Sequence, residues 1–210
     1  MQPDPRDVDY RPDPSSPTTG TTTRVGLTDV LHTSSTGSQT SAVAGIVNGL
    51  YVYGASTRYT GSNSKGQNAW IFNLTTGSQV AFDFSARASD NYGASSISGF
   101  TDSGLAYGTY ALFDGETNLG NRAFIWTEEW GTVLLDDAFS SQIAQNGWDA
   151  FISVNVILPE NLFFGQGAPG GATATSQAIY VAQVVPEPGT LGLIGLGLAA
   201  TLLAVRCRRA

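Results

Sequence analysis

Two pairs of adjacent carboxylates are the residues of this chain best suited by type to catalysis. They are Glu128-Glu129 and Asp136-Asp137. Glycoside hydrolysis requires two carboxyl groups on opposite sides of a cleft, about 5 to 10 Å apart. Neighbouring residues of a strand point to opposite faces of the sheet, so neither pair has this geometry by itself. We interpret both pairs as solvated turns and predict no catalytic residue.

Histidine and cysteine offer little further chemistry. His32 is the only histidine, and Asp29 precedes it by three residues. The two could form a His-Asp-Ser arrangement, but any serine could complete it, and we interpret His32 as a surface residue. Cys207 is the only cysteine, so the chain has no internal disulfide and too few ligands for zinc.

Calcium, which binds oxygen ligands, is the alternative to the prediction that the protein has no cofactor. No acidic calcium-binding loop motif occurs in the sequence. Side chains that could bind calcium together with backbone carbonyls are those of Asp90, Asn91, Asp102 and Asp114.

Aromatic side chains could stack on sugars, but most are predicted to lie in the core. Trp130 and Trp148 fall outside the predicted strands and are the better candidates for contact with a ligand. The aromatics interpreted as core residues are Trp70, Phe124, Trp126 and Tyr180.

The composition favours an all-β exported protein. The chain has 210 residues, of which only 13% are charged and 25 are glycine. The net charge is −7, and three of its ten positive residues lie at the C-terminal end. The rest of the chain is therefore more acidic still, which disfavours nucleic acid as a partner.

The sequence matches itself at a shift of 54 residues. Asp83 recurs as Asp137, and Tyr53 recurs as Tyr107. A looser third copy follows at shifts of 55 to 57 residues. Glycines at fixed spacing indicate repeated backbone geometry. The glycines that recur are Gly45, Gly54, Gly61, Gly66, Gly77 and Gly93, as Gly99, Gly108, Gly115, Gly120, Gly131 and Gly147.

Each repeat reads as about four short strands. Strands are predicted at 50–53, 69–72, 78–82, 95–100, 105–107, 123–126, 132–135, 151–158, 162–165 and 178–181. Four strands in about 50 residues is the size of a propeller blade. The predicted fold is therefore all-β, with repeated four-stranded antiparallel units in a partial β-propeller-like arrangement; a β-sandwich is the alternative. The units are placed at about 45–98, 99–152 and 153–184, within a domain covering 25–184.

Two segments of the body resemble the HAF extracellular repeats. They are 102–108, which reads Asp-Ser-Gly-Leu-Ala-Tyr-Gly, and 122–126, which reads Arg-Ala-Phe-Ile-Trp. The resemblance covers roughly residues 25 to 184. It implies exported β-rich repeats without an established common activity.

The C-terminal segment 185–210 has the composition of a membrane anchor. Residues 190–205 contain no charge and would form a helix of roughly 24 Å, which is short for a bilayer core of about 30 Å. Arg206, Arg208 and Arg209 form a basic stop, which predicts a cytoplasmic C-terminus with the body outside. We predict one transmembrane helix over 190–205.

The tail resembles the PEP-CTERM sorting signal of Gram-negative bacteria. The resemblance rests on Pro186-Glu187-Pro188, the apolar run and the basic end. It implies recognition by an exosortase, an integral-membrane transpeptidase, and a link to exopolysaccharide. The two prolines hold the motif extended and remove two hydrogen-bond donors, as a processing enzyme requires.

The start of the chain is interpreted as a disordered lead over residues 1–24. It is rich in Pro, Asp, Ser and Thr and has no apolar period. It also lacks the basic and apolar regions of a signal peptide, so the true start is expected upstream.

The sequence as a whole predicts an exported, non-enzymatic β-repeat protein. It would be tethered to the inner membrane by its C-terminus and then located at the cell surface or in the extracellular matrix. The alternatives are an exported enzyme acting on polysaccharide, and a calcium- or sugar-binding module.

Overall fold

Short turns with positive backbone φ divide the chain into strands. Asn48 (φ 51°) and Gly49 (φ 63°) form the first turn, where the amide of Leu50 donates to the carbonyl of Val47 at 2.9 Å. The computed structural model describes residues 22–158, 162–170 and 177–183. Its elements are β1 (Ser41–Val47), β2 (Tyr51–Thr60), β3 (Asn63–Asn73), β4 (Gln79–Phe82), β5 (Gly93–Phe100), β6 (Ala106–Asp114), β7 (Thr117–Thr127), β8 (Gly131–Leu134), α1 (Leu135–Ala138), α2 (Ser140–Gln145), β9 (Trp148–Leu158), β10 (Leu162–Pro169) and β11 (Ala178–Gln183).

The strands form three antiparallel groups in chain order. The first group is β1–β4, the second is β5–β8 and the third is β9–β11. A short parallel pairing of Gly66 and Gln67 in β3 with Gly93 and Ala94 in β5 joins the first two groups into one eight-stranded sheet. The prediction of a mostly β protein is confirmed. The sheets do not close on themselves, so the described residues form no propeller.

Successive groups pack face to face because their strands are apolar on both faces. Side chains alternate between faces along a strand. In β3, Ala69 and Ile71 face the second group, whereas Trp70 and Phe72 face away from it. The first junction core, between the first and second groups, contains Tyr51, Ala69, Ile71, Phe82, Ala106, Tyr110, Phe124 and Trp126.

The second group repeats this arrangement against the third. In β7, Phe124 and Trp126 face the first group, and Ala123 and Ile125 face the third. The second junction core, between the second and third groups, contains Leu105, Ala123, Ile125, Leu135, Phe151, Val154, Phe163 and Tyr180. The predicted core aromatics are therefore confirmed as buried.

One contact recurs in all three groups and depends on glycine. A Cβ on Gly108 of β6 would lie 2.0 Å from the carbonyl oxygen of Ser96 and 2.9 Å from the ring of Phe124. Only glycine fits where a strand backbone and an aromatic ring approach this closely. The equivalent glycine and ring pairs are Gly54 with Trp70 in the first group and Gly165 with Tyr180 in the third.

Several predictions concern residues that the structure does not describe. These are residues 1–21 of the disordered lead predicted over 1–24, the sorting motif and the transmembrane helix over 190–205. Within the described ranges, neither α1 nor α2 has the length or apolar character needed to cross a bilayer. The two helices themselves were not predicted, because the strand ending at Leu135 was expected to continue into a turn.

Candidate functional site

The predicted sorting motif follows directly on the last described strand. β11 ends at Gln183, and the motif begins three residues later at Pro186. Pro186, Glu187 and Pro188, with the basic stop of Arg206, Arg208 and Arg209, lie outside the described residues.

His32 is buried, so its interpretation as a surface residue is wrong. The side chain is only 2% exposed. Its Nδ1 lies 2.8 Å from Oδ1 of Asp29, and this partner makes burial of the ring possible. Burial by itself would raise the pKa of Asp29, but hydrogen bonds from His32 and the Leu31 amide outweigh it and lower the pKa. Within the described chain Nε2 has no hydrogen-bond partner, so no serine completes a His-Asp-Ser arrangement.

Asp136 is also not in a solvated turn, contrary to prediction. It lies in α1, where Oδ1 accepts from the Phe151 amide at 2.7 Å and Oδ2 lies 3.1 Å from Nε of Arg122. Burial raises the pKa of Asp136, the Phe151 and Arg122 contacts oppose the increase, and the charge of Asp137 adds to it. The carboxylate therefore ties α1 to β7 and β9, whereas Asp137 is exposed.

Glu128 and Glu129 lie in the exposed turn between β7 and β8, as predicted. They line a groove of about 340 Å³ at one end of the first junction core, which we call the Glu128 groove. It is lined by Tyr51, Ser103, Gly104, Leu105, Thr127, Glu128, Glu129 and Trp130. Three elements supply these residues: the start of β2, the turn before β6 and the turn after β7.

Glu128 is held in place by the first strand group. Nδ2 of Asn73, the last residue of β3, donates to Oε1 of Glu128 at 3.0 Å. Burial raises the pKa of Tyr51, and a hydrogen bond from its hydroxyl to Glu128 contributes further. The groove therefore combines the hydrogen-bonded carboxylate of Glu128, the exposed carboxylate of Glu129 and the rings of Tyr51 and Trp130. Such a surface can bind a ligand that has both polar groups and an apolar face.

Of the two tryptophans proposed for ligand contact, Trp130 lines the Glu128 groove and also packs against the second junction core. Trp130 is half-buried in the Glu128 groove. Trp148 begins β9 and packs against Phe151 and Tyr180, with ring centroids 6.3 and 6.4 Å away, so it belongs to the second junction core. Neither Tyr51 as a groove residue nor Asn73 as the partner of Glu128 was predicted, because β2 and β3 meet the turn after β7 only when the groups stack.

Two of the calcium candidates have other partners in the structure. Oδ2 of Asp90 pairs with the ammonium of Lys65 at 2.7 Å, and the carbonyl of Asp102 accepts from Asn48 at 2.8 Å. In the described part of the chain, no three His, Cys, Asp or Glu side chains gather as a metal site would require.

Comparison with known protein families matches residues 184–209 to the PEP-CTERM protein-sorting motif. No curated protein and no solved structure matches the chain. The family match covers the same three parts of the tail on which the sequence resemblance rests: the Pro-Glu-Pro motif, the apolar run and the arginines. The HAF resemblance of the body stays a prediction.

The motif supports an exported protein that is targeted to an exosortase and processed at the membrane. The body that precedes it is mostly β-sheet.

Proposed function

We propose that this protein is a non-enzymatic component of the cell surface or extracellular matrix, delivered there by an exosortase. The observation that carries the proposal is the sorting motif at residues 184–209, immediately after the last described strand. In this proposal the predicted helix at 190–205 holds the chain in the inner membrane with the arginines on the cytoplasmic side. Exosortase then acts near Pro186-Glu187-Pro188, and the body is displayed or released.

The short distance between β11 and the motif fits this order of events. A transpeptidase needs an extended segment that is free of sheet hydrogen bonds, and the prolines of the motif cannot donate any. Among the described residues the last strand ends at Gln183, three residues before Pro186.

Several carboxylates of the described residues support a structural body. Asp29 binds His32, Asp90 binds Lys65, and Asp136 binds Arg122 and the Phe151 amide. These contacts tie turns and helices to the sheet, and they occupy oxygens that a catalytic or metal-binding role would need. We therefore propose an architectural or adhesive role, with exopolysaccharide as the partner that the sorting signal suggests.

The sorting proposal is tested by replacing Pro186, Glu187 and Pro188 with alanine in the full chain. Unprocessed protein should accumulate in the inner membrane, because the extended, donor-free segment is lost. Cell fractionation and intact-mass measurement report the position and size of the product. Gln177→Ala, an exposed residue upstream of the matched stretch, is the control and should be processed normally. Normal processing of the motif variant would refute the proposal.

The Glu128 groove supports a second candidate, a sugar-binding function. Trp130 supplies aromatic surface, the buried Tyr51 forms part of the groove wall, and Glu128 and Glu129 can accept hydrogen bonds from sugar hydroxyls. A hydrolase acting on polysaccharide would use the same groove, but would need the two carboxylates to act on opposite sides of one bond.

Affinity electrophoresis through gels containing exopolysaccharide tests the sugar-binding candidate. Trp130→Ala should weaken retardation about tenfold, the equivalent of roughly 1.4 kcal/mol for a lost stacking contact. Tyr92→Ala, an exposed aromatic away from the groove, should leave retardation unchanged. Equal retardation of both variants would exclude the groove. Release of reducing ends that Glu128→Gln abolishes would instead establish the hydrolase.

A further inference from the structure

The third strand group exposes apolar positions that are buried in the other two groups. The glycine and aromatic pairs align β11 with β3 and β7, so that Tyr180 corresponds to Trp70 and Phe124. The residues on either side of this aromatic are Ala69 and Ile71 in β3 and Ala123 and Ile125 in β7, all at most 2% exposed. In β11 they are Ile179 and Val181, which are 77% and 59% exposed.

These residues belong to a continuous apolar surface, which we call the outer face. It consists of Val156, Leu158, Phe164, Ile179 and Val181. Val156, Phe164 and Val181 form one row across the three strands, because Phe164 pairs with Val156 on one side and with Val181 on the other. A depression of about 390 Å³ on this face has only Asn155 and Gln166 as polar side chains.

The opposite end of the stack is already covered by the chain itself. Trp70, Phe72 and Val52 of the first group are buried under Leu27, with Val25 packed beside it. This end corresponds to the surface on which a further group would otherwise stack. A second molecule therefore cannot continue the stack head to tail without displacing Leu27, whereas two outer faces can meet directly.

We propose that the outer face binds the outer face of a second copy of this chain, about a two-fold axis. Such a contact is self-complementary, because each copy offers the same apolar row. None of the described residues that form this face or line its depression is charged, which reduces the repulsion between two acidic chains that meet there. In this dimer the two outer faces pack face to face, as the strand groups do at the two junction cores.

The size of the face predicts a weak dimer. Three strands about 4.8 Å apart and about six residues long, at about 3.3 Å each, give a face of roughly 300 Å². Stable dimers bury about 800 Å² per partner. The dimer should therefore depend on concentration, and retention of the protein on a membrane or in a matrix would favour it. The proposal does not depend on exosortase processing.

Cysteine crosslinking of the full chain in mild detergent tests the contact. Cys207→Ser removes the native thiol, and Val181→Cys then places a single thiol in the apolar row. A short bis-maleimide should give at least fivefold more covalent dimer than it gives for Val43→Cys, a valine on β1 with a similar exposure of 55%. Both variants carry the same tail, so association through the tail affects them equally. Equal crosslinking of the two would overturn the proposal.

Introducing positive charge on the outer face provides an independent test. The double variant Ile179→Lys, Val181→Lys should shift the protein to monomer in sedimentation velocity, at concentrations where wild type dimerises. Its melting temperature in dilute solution should remain that of wild type, because both side chains are exposed in one copy. Val43→Lys, Ile46→Lys on β1 is the control and should still dimerise. A melting temperature several degrees lower would mean that another segment of the same chain, such as residues 184–210, covers the face, and would overturn the proposal.

Discussion

Arg58 is the most deeply buried charge among the described residues. Its side chain is 1% exposed, and one guanidinium nitrogen donates to the carbonyl of Asn91 at 3.1 Å. Burial lowers the pKa of Arg58, the nearby charge of Arg87 lowers it further, and Asp83 and Asp29 oppose both effects. Since a buried charge requires compensation, the neighbouring carboxylates are part of the reason why this arginine is tolerated.

Asp83 supplies most of that compensation at the edge of the first junction core. It pairs with Arg87, whose side chain also donates to Oδ1 of Asn91. Burial would raise the pKa of Asp83, but the hydrogen bond from Arg87 and the charges of Arg87 and Arg58 lower it. The carboxylate therefore stabilises the fold in its ionised form.

Asp83→Asn should reduce the free energy of unfolding at pH 7 by about 1 kcal/mol, a value discounted because the side chain is one-third exposed. A carboxyl whose folded pKa is lowered stabilises the fold above its unfolded pKa of about 3.9, and this contribution disappears as the pH falls through the folded value. The variant should therefore lose less stability than wild type on acidification from about pH 5 to pH 2. Urea unfolding followed by tryptophan fluorescence measures both effects.

The control for this prediction is Asp90→Asn. Asp90 pairs with Lys65 at the surface, so solvent screens the interaction and the change should have little effect on stability. If Asp83→Asn and Asp90→Asn behaved alike across the pH range, the role given to Asp83 would be wrong.

At the scale of elements, the glycines that contact a strand carbonyl and an aromatic ring set how closely neighbouring strands pack. The sequence repeat pointed to Gly54 and Gly108 as positions of special backbone geometry. The structure gives the reason, which is contact with a carbonyl and an aromatic ring rather than a turn. The equivalent Gly165 lies beside the carbonyl of Ser153 and the ring of Tyr180.

Gly108→Ala should destabilise the protein by about 1 to 3 kcal/mol, because the added methyl group overlaps the Ser96 carbonyl and β5 must move away from β6. Gly115→Ala is the control. At that position φ is +59° and no atom lies within 4 Å, so only backbone strain of about 1 kcal/mol is expected. Chemical unfolding of the two variants measures the difference. Equal losses would mean that strands β5 and β6 adjust freely.

The local sequence pattern did not predict the two helices after β8. Leu135 was expected to extend a strand, but β8 ends at Leu134 and Leu135 begins α1. Its side chain is fully buried in the second junction core, and Asp136 is fixed by Arg122 and the Phe151 amide. A helix of four residues has little intrinsic stability, so contacts from β7 and β9 determine it.

At the scale of the whole molecule, the stack of strand groups has one end covered by the chain itself and one end exposed. The N-terminal segment with Leu27 covers the first group, each later group covers the one before it, and the outer face ends the series within the described residues. The Glu128 groove lies at one end of the first junction core. Its residues come from Tyr51 of the first group and from turns of the second, so it exists only because the groups stack.

The sequence by itself determined the strand pattern, the buried aromatics and the sorting signal, because each depends on residues close together in the chain. Alternating and continuous apolar runs predict strands. The sorting signal is identified from the order of its parts along the chain: Pro186-Glu187-Pro188, the apolar run and the arginines. Only the tertiary structure decided that the groups stack without closing, that His32 and Arg58 are buried, and that Tyr51 meets Glu128. These outcomes depend on contacts between residues far apart in the chain, whose packing and charge compensation no local pattern specifies.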